Sequence, residues 1–299
     1  MKTNIFKGTG VALVTPFNHD LSIDIKALSG IVDYVIGNGA DFLVALGTTS
    51  EAATMDAKDK KTVLDTILNA NAGRLPVMLG LGGNCTANVV DSIKQQDFDG
   101  IGGILSVVPY YNKPNQRGME AHFTAIADAS PVPVVVYNVP GRTGVNMASA
   151  TTLRLAQHPN ITAIKEASGN MTQIMEILAD KPADFDLLSG DDSITMPMMA
   201  MGASGVVSVA ANAYPNVFKA MTKALKDNDI KEATKAHLTM LKMNELIFAD
   251  GNPAGIKALL SHIGLCRNTL RLPLVTANDN VQNDIFTEWD NNLSKFHIA

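Results

Sequence analysis

The sequence predicts a (β/α)8 barrel followed by a C-terminal helical region. Eight short, almost continuously apolar runs recur along the chain, and amphipathic helical patterns fill the gaps between them. Such runs are typical of parallel strands that are buried on both faces. Eight strand–helix units within about 210 residues favour a closed barrel over an open doubly wound sheet. A chain of 299 residues is long enough for this single fold or for two medium domains.

The individual elements follow from the same patterns. In the first gap, Leu28, Val32 and Val35 repeat with the period of a helix, and the second gap shows a similar pattern. Thr86 and Asp192 are candidate N-caps of later helices. The predicted strands, in chain order, are residues 10–15, 42–46, 76–81, 103–108, 134–137, 161–164, 185–189 and 205–209.

The domain organisation that we expect is a barrel over residues 1–227 and a helical region over 228–299. The eighth barrel helix is expected to end near Asp227, and apolar residues at helical spacing continue beyond it. No linker-like composition separates the two parts, so we expect the helical region to pack on the barrel.

Composition excludes several classes of protein. The net charge is −5 and no Lys/Arg cluster is present, so we expect no nucleic-acid partner. The two cysteines are far apart, and no histidine lies in a metal-binding spacing, so no disulfide, metal or cofactor is expected. No run of eighteen apolar residues predicts a membrane span. The N-terminus lacks a signal-peptide pattern, which makes cytoplasm the expected location.

Lys165 is the most informative single residue. It follows the apolar run 161–164, so it is expected at the barrel mouth on an apolar base. Burial favours the neutral form of a lysine, and a neutral amine attacks carbonyl carbon. The alternative is a salt bridge with Glu166 or Asp191, and position alone does not separate the two interpretations.

Tyr137 favours the catalytic interpretation, because it ends the strand before that of Lys165. Imine chemistry needs several proton transfers, and a phenol can both donate and accept a proton. Thr48 and Tyr111, which follow two other predicted strands, could extend a proton relay by hydrogen bonding. A strand-end turn is the common alternative for Thr48, and a rim or interface aromatic for Tyr111.

Two further features point to carboxylate binding. The Gly47-Thr48-Thr49 run offers backbone N–H groups that can hold an anion. Arg142 lies in a Pro-Gly-Arg-Thr-Gly loop, where its guanidinium could clamp a second carboxylate. The alternative for a loop arginine is simple solvation.

Seven short motifs occur in order along essentially the whole chain. They are GTTSE at 47–51, PYYNKP at 109–114, YNVPGRTG at 137–144, IKEASGN at 164–170, LSGDD at 188–192, NP at 252–253 and TLRLP at 269–273. Together they resemble the 4-hydroxy-tetrahydrodipicolinate synthase (dihydrodipicolinate synthase) family, within the pyruvate-dependent aldolase and N-acetylneuraminate lyase superfamily.

The resemblance implies a reaction and a role for each motif. The family condenses pyruvate with L-aspartate 4-semialdehyde in lysine and diaminopimelate biosynthesis, typically as a homotetramer of two tight dimers. The implied Schiff-base lysine is Lys165, the implied proton donor and acceptor is Tyr137, and Thr48 and Tyr111 complete the relay, with Tyr111 supplied by the neighbouring subunit. The implied substrate-binding residues are Thr49, Val207 and Gly190 for pyruvate and Arg142 for the semialdehyde carboxylate.

The chain departs from the family pattern in two places. Ser50 stands where the family usually has glycine, so the turn must accept a side chain. Where lysine-inhibited members carry a histidine and a glutamate, this chain has Ala57 and Asn88, although Asn84 and Tyr110 remain. We therefore expect weak or absent inhibition by lysine.

Three alternative functions remain at this stage. N-acetylneuraminate lyase shares the barrel, the lysine and the tyrosine, but its strand-five loop lacks an arginine that matches Arg142. Other pyruvate-dependent aldolases, acting on keto-sugar acids or hydroxy-oxoglutarate, are a second alternative. A non-catalytic keto-acid sensor is the third, although pure binding needs no proton relay.

Overall fold

The computed structural model describes residues 5–293. Its eight parallel strands form a closed barrel in which neighbours follow chain order, which confirms the predicted (β/α)8 fold. The strands are β1 (Gly8–Ala12), β2 (Phe42–Ala45), β3 (Val77–Gly80), β4 (Gly103–Val107), β5 (Val134–Asn138), β6 (Ile161–Glu166), β7 (Asp186–Ser189) and β8 (Gly205–Ser208).

The chain divides into two compact units. One combines the residues up to Lys7 with Pro76–Val207, and the other combines Gly8–Leu75 with the residues from Ser208 onward. Among the described helices, none combines the length and the apolarity of a membrane-crossing span. The helices are α1 (Ile25–Gly37), α2 (Ala57–Asn71), α3 (Thr86–Gln95), α4 (Gln116–Ala129), α5 (Pro140–Thr143), α6 (Ser149–Leu155), α7 (Met171–Asp180), α8 (Thr195–Ala200), α9 (Pro215–Lys226), α10 (Ile230–Ala249), α11 (Ala254–His262) and α12 (Asp279–Glu288).

In the Pro76–Val207 unit, strands β3 to β8 pair in parallel with their neighbours. Every residue of β5 and β6 is buried, as expected for strands covered on both faces. Both strands extend beyond the apolar runs that predicted them, because Asn138 and Glu166 continue the ladder as register partners.

In the other unit, β1 and β2 pair in parallel, with Gly10 opposite Phe42. A Cβ atom on Gly10 would lie 2.1 Å from the Phe42 ring, so only glycine allows this close approach. Helix α9 ends at Lys226 with Asp227 as its C-cap, where the sequence predicted the eighth helix to end. Helices α10, α11 and α12 follow, and we propose residue 227 as the end of the barrel portion.

Two predicted N-caps are wrong by one residue. The N-cap of α3 is Cys85, and the Thr86 hydroxyl is hydrogen-bonded to His122 Nδ1 of α4 at 2.9 Å instead. The turn that precedes α8 is capped by Asp191, whose carboxylate accepts from the Ser193 N–H, rather than by Asp192. Thr86 therefore does not cap its helix, because its hydroxyl is hydrogen-bonded to His122, which is distant in the sequence.

Candidate active site

Lys165 and Tyr137 lie side by side in the Pro76–Val207 unit. They are register partners on β6 and β5, so their side chains project from the same face of the sheet. The Nζ atom of Lys165 lies over the Tyr137 ring, 4.1 Å from its centroid. Both side chains are buried, with relative exposures of 6% and 7%. The sequence predicted this neighbourhood, and the structure brings the amine and the phenol together.

The salt-bridge alternative for Lys165 is not observed. The Glu166 carboxylate accepts hydrogen bonds from Asn138, and the Asp191 carboxylate accepts from the Ser193 N–H. Within residues 5–293, Lys165 forms no ion pair, and its amine is available as a nucleophile toward a carbonyl carbon.

Gly190 leaves space for the Lys165 side chain. A Cβ atom at this position would come within 2.9 Å of Lys165 Cε and 2.8 Å of the Ala167 Cβ. Its backbone N–H donates to the Glu166 carbonyl at 2.8 Å, which fixes the end of β7 beside the end of β6. Val207, which the sequence assigned to pyruvate binding, is buried in β8.

Tyr111 and Arg142 lie on exposed loops of the same unit. Tyr111 is 87% exposed and has a φ of 75°, a backbone conformation that non-glycine residues seldom adopt. Arg142 lies in the single turn α5, which begins with Pro140 at its first position. Over the described part of the chain, the Arg142 side chain forms no ion pair or hydrogen bond, so its guanidinium is available to an anion.

The threonine turn, residues 47–51, belongs to the other compact unit. Thr48 begins a 3₁₀ turn that follows Gly47, and Thr48 is exposed whereas Thr49 is buried. The Asn252 side chain donates to Thr49 Oγ1 at 3.1 Å, so the Thr49 hydroxyl hydrogen can donate to another acceptor. Ser50 fits this turn without a positive φ, because its hydroxyl donates to the Gly47 carbonyl at 2.7 Å.

A buried ion pair lies at the end of the threonine turn, and the sequence analysis did not identify it. Glu51 adopts a φ of 61°, and its carboxylate binds the Lys257 ammonium of α11. Both side chains are fully buried. Burial lowers the pKa of the Lys257 ammonium, and the adjacent Glu51 carboxylate opposes this shift. The Arg271 N–H also donates to Glu51, at 3.0 Å, so the motif that contains Arg271 helps to hold the turn.

A second cluster that the sequence analysis missed surrounds Glu166. This carboxylate is completely buried and accepts hydrogen bonds from Asn138, Ser168 and Gln173. Burial raises the pKa of the Glu166 carboxyl, while these hydrogen bonds lower it. The sequence contains one indication of this cluster. Asn138 directly follows Tyr137, and Glu166 directly follows Lys165, on neighbouring strands.

The described residues contain no group of three or more His, Cys, Asp or Glu side chains arranged to hold a metal ion.

The fold and the site define the class as a TIM-barrel enzyme with its reactive groups at the C-terminal ends of the strands. The chain belongs to the dihydrodipicolinate synthetase family, whose model matches residues 5–288.

Individual relatives and solved structures agree with this family. The chain is 51% identical over 270 residues to the 4-hydroxy-tetrahydrodipicolinate synthase of Parabacteroides distasonis, covering 90% of this chain and 91% of that protein. It is 49% identical over 286 residues to the protein of the same name from Flavobacterium psychrophilum, covering 95% and 98%. The crystal structure of dihydrodipicolinate synthase from Aquifex aeolicus matches with a TM-score of 0.92 at 36% identity, covering 95% of this chain and 97% of that one.

Proposed function

We propose that this chain condenses pyruvate with L-aspartate 4-semialdehyde to give 4-hydroxy-tetrahydrodipicolinate, a step of lysine and diaminopimelate biosynthesis. The observation that carries the proposal is the buried Lys165 over the Tyr137 ring, which forms no ion pair with any described residue, in a chain about half identical to synthases of that name. The same relatives favour this reaction over that of N-acetylneuraminate lyase.

The chemistry begins at the Lys165 amine. The amine attacks the keto carbon of pyruvate, and the carbinolamine loses one water to form an imine. Loss of a methyl proton converts the imine to an enamine, whose terminal carbon attacks the aldehyde carbon of the semialdehyde and forms the C–C bond. The amino group of the semialdehyde then attacks the imine carbon and releases Lys165. The net reaction therefore releases one water.

Tyr137 is the group that moves protons in this scheme. Its phenol donates a proton to the departing hydroxyl of the carbinolamine and accepts one when the enamine forms. The family resemblance assigns Thr48 and Tyr111 to the same relay. The 87% exposure of Tyr111 supports its presentation to a second copy of the chain. A homotetramer assembled from tight dimers is what the family resemblance implies, and it belongs to the same proposal.

The substrate carboxylates have separate partners in this proposal. Pyruvate is held by Thr49, Val207 and Gly190. The Thr49 hydroxyl oxygen already accepts a hydrogen bond from the Asn252 amide, so its hydrogen is available to donate to the substrate. Arg142 receives the carboxylate of the semialdehyde, and its exposed guanidinium, which has no partner among the described residues, supports that role. A cytoplasmic location belongs to the same proposal.

The experiment that tests the proposal is borohydride trapping with pyruvate. The expected result is a pyruvate-derived mass on the peptide that contains Lys165. In a separate assay, untreated enzyme with pyruvate should turn over aspartate semialdehyde, and it should not cleave N-acetylneuraminate. Lys165→Arg should abolish trapping because a guanidinium stays protonated, whereas the exposed Lys94→Arg should not change it. A mass on another lysine, or turnover of N-acetylneuraminate alone, would show the proposal to be wrong.

A further inference from the structure

The pair Asn138–Glu166 lies one position beyond the pair Tyr137–Lys165 in the register of β5 and β6. Because successive side chains on a strand point to opposite faces, Asn138 and Glu166 point away from the lysine and the tyrosine. Both pairs are carried by the same two strand ends. Any shift of one strand against the other must therefore move both pairs together.

Glu166 is held by neutral donors only. It accepts from the Asn138 amide at 3.2 and 3.1 Å, from the Ser168 N–H at 2.7 Å and from the Gln173 amide at 3.1 Å. No lysine, arginine or histidine forms an ion pair with it within the described portion of the chain. A buried carboxylate without a cation is costly, so its presence needs a reason.

The orientations of the two amides that face Glu166 are fixed by their other bonds. Asn138 Oδ1 accepts from the Met147 N–H at 3.0 Å, so its NH₂ group must face Glu166. Gln173 Oε1 accepts from the Asn146 amide at 2.7 Å, so its NH₂ group must face Glu166 as well. The Asn138 amide also donates to Asn146 Oδ1 at 2.8 Å, which closes the network.

This arrangement explains why the residue is a carboxylate. Only a group with acceptors on both oxygens can satisfy the donors of Asn138, Ser168 and Gln173 at the same time. A glutamine at position 166 would turn one NH₂ group toward other donors. The network thereby joins β5, β6, the 146–147 segment and α7 at the level of the candidate catalytic pair.

We propose that Glu166 is a positioning residue: through Asn138 it locks the ends of β5 and β6 in register and so keeps the Lys165 amine over the Tyr137 ring. The inference rests on the proposed function, in which these two groups form and process the imine. Glu166 itself contacts no substrate in this proposal.

Glu166→Gln is the first test. The readout is the rate of imine formation, measured by borohydride quenching at a series of times at saturating pyruvate. A misplacement of about 1 Å at reacting groups costs up to about 100-fold in rate, so we expect imine formation and kcat to fall by roughly 10- to 100-fold. The pyruvate concentration at half-saturation should not change, because the residues that hold the pyruvate carboxylate are untouched. General loosening of the fold would raise that concentration as well.

A double variant that exchanges the carboxylate and the amide between positions 166 and 138, called the swap below, provides the rescue. In Asn138→Asp/Glu166→Gln the carboxylate moves to β5, and flips of the Asn146 and Gln173 amides restore the pairing among these four side chains. The Met147 carbonyl loses the hydrogen bonds that Asn138 and Gln173 donate to it, so the recovery is partial. The double variant should trap pyruvate about two- to tenfold faster than Glu166→Gln alone. Glu176→Gln, which removes an exposed carboxylate from the same helix α7, is the matched control and should behave as the wild type.

Amide hydrogen exchange separates failure of this inference from failure of the proposed function. Peptides spanning residues 137–138 and 165–166 should exchange faster in Glu166→Gln and return to the wild-type rate in the swap. If wild-type protein is not trapped at Lys165, the proposed function is wrong. The exchange data alone then decide whether Glu166 holds the ends of β5 and β6 in register. Unchanged exchange and trapping in Glu166→Gln, or a swap no faster than the single variant, would overturn the inference. Should Glu166→Gln fold poorly, Gln173→Met removes one donor and should slow trapping by about two- to tenfold.

Discussion

The Nζ atom of Lys165 lies 4.1 Å from the centroid of the Tyr137 ring, and the two residues are register partners on adjacent strands. The strand ladder itself therefore holds the amine beside the phenol. In the proposed reaction one hydroxyl serves successive intermediates on Lys165, because each is attached to the same nitrogen atom.

Tyr137→Phe keeps the buried ring and removes the proton carrier. We expect kcat to fall about 100- to 10,000-fold, the usual contribution of general acid–base catalysis, with pyruvate still trapped at Lys165. Tyr34→Phe is the matched control, because the Tyr34 hydroxyl donates to the Ala213 carbonyl rather than to a candidate catalytic group. A Tyr137→Phe enzyme with wild-type kcat would exclude Tyr137 from the relay.

Arg142→Ala removes the guanidinium that we assign to the second substrate. Loss of one charge-assisted interaction should raise KM for aspartate semialdehyde by about 10- to 100-fold and leave KM for pyruvate unchanged. Arg142→Lys should recover only part of the loss, since an ammonium cannot bind a carboxylate in the bidentate manner. The exposed Arg117→Ala is the control. Equal effects on both KM values would assign Arg142 to loop structure.

Inhibition by lysine should be weak or absent. Asn88 is exposed on α3 and offers an amide where sensitive relatives carry a carboxylate, and Ala57 offers no polar group. A missing charge-assisted bond costs about 1.5–3 kcal/mol, or roughly 10- to 100-fold in affinity. We expect no half-inhibition below about 1 mM lysine, the weak end of the affinity scale. Asn88→Glu should increase sensitivity, and a sensitive wild-type enzyme would contradict the assignment of Asn88.

Breaking the ion pair at the end of the threonine turn should destabilise the protein strongly. Lys257→Met leaves the Glu51 carboxylate buried without its cation, which costs about 3–5 kcal/mol of unfolding free energy. Glu51→Gln/Lys257→Met should regain part of this loss, because the uncompensated charge is then gone. Lys61→Met breaks only the exposed pair with Asp65 and should cause little change in denaturant unfolding. A loss as small as that control would contradict the role of the buried pair.

His122 should make stability depend on pH in acid. Burial lowers its pKa to about 4, so between pH 6.5 and about 4 the unfolded chain binds a proton that the folded chain does not. The stabilisation is therefore full above pH 6.5 and is lost as pH falls toward 4, by about 3 kcal/mol at most. In His122→Asn the slope of unfolding free energy against pH should decrease in this range by the contribution of about one bound proton. An unchanged slope would mean that His122 does not titrate there.

The sequence located the strands better than it located their ends. The apolar runs predicted all eight strands, but β5 and β6 continue through Asn138 and Glu166, which carry no apolar signal. They pair with each other in the ladder, and a side-chain hydrogen bond also joins them across 28 residues of sequence. The same reason explains Thr86, whose hydroxyl bonds to His122 instead of capping its own helix.

By itself the sequence determined the barrel, through the spacing of its buried strands, and it predicted Lys165, Tyr137 and Arg142 as candidate site residues from their positions at or just after strand ends. The tertiary structure decided what surrounds these groups. Among the described residues, it left Lys165 without a salt bridge, paired Glu51 with Lys257 and surrounded Glu166 with neutral amides. Buried hydrophobic residues recur with the period of a strand or helix, so they can be recognised in a single sequence. Hydrogen-bond partners are brought together by the fold from distant parts of the chain, so no local sequence pattern predicts them.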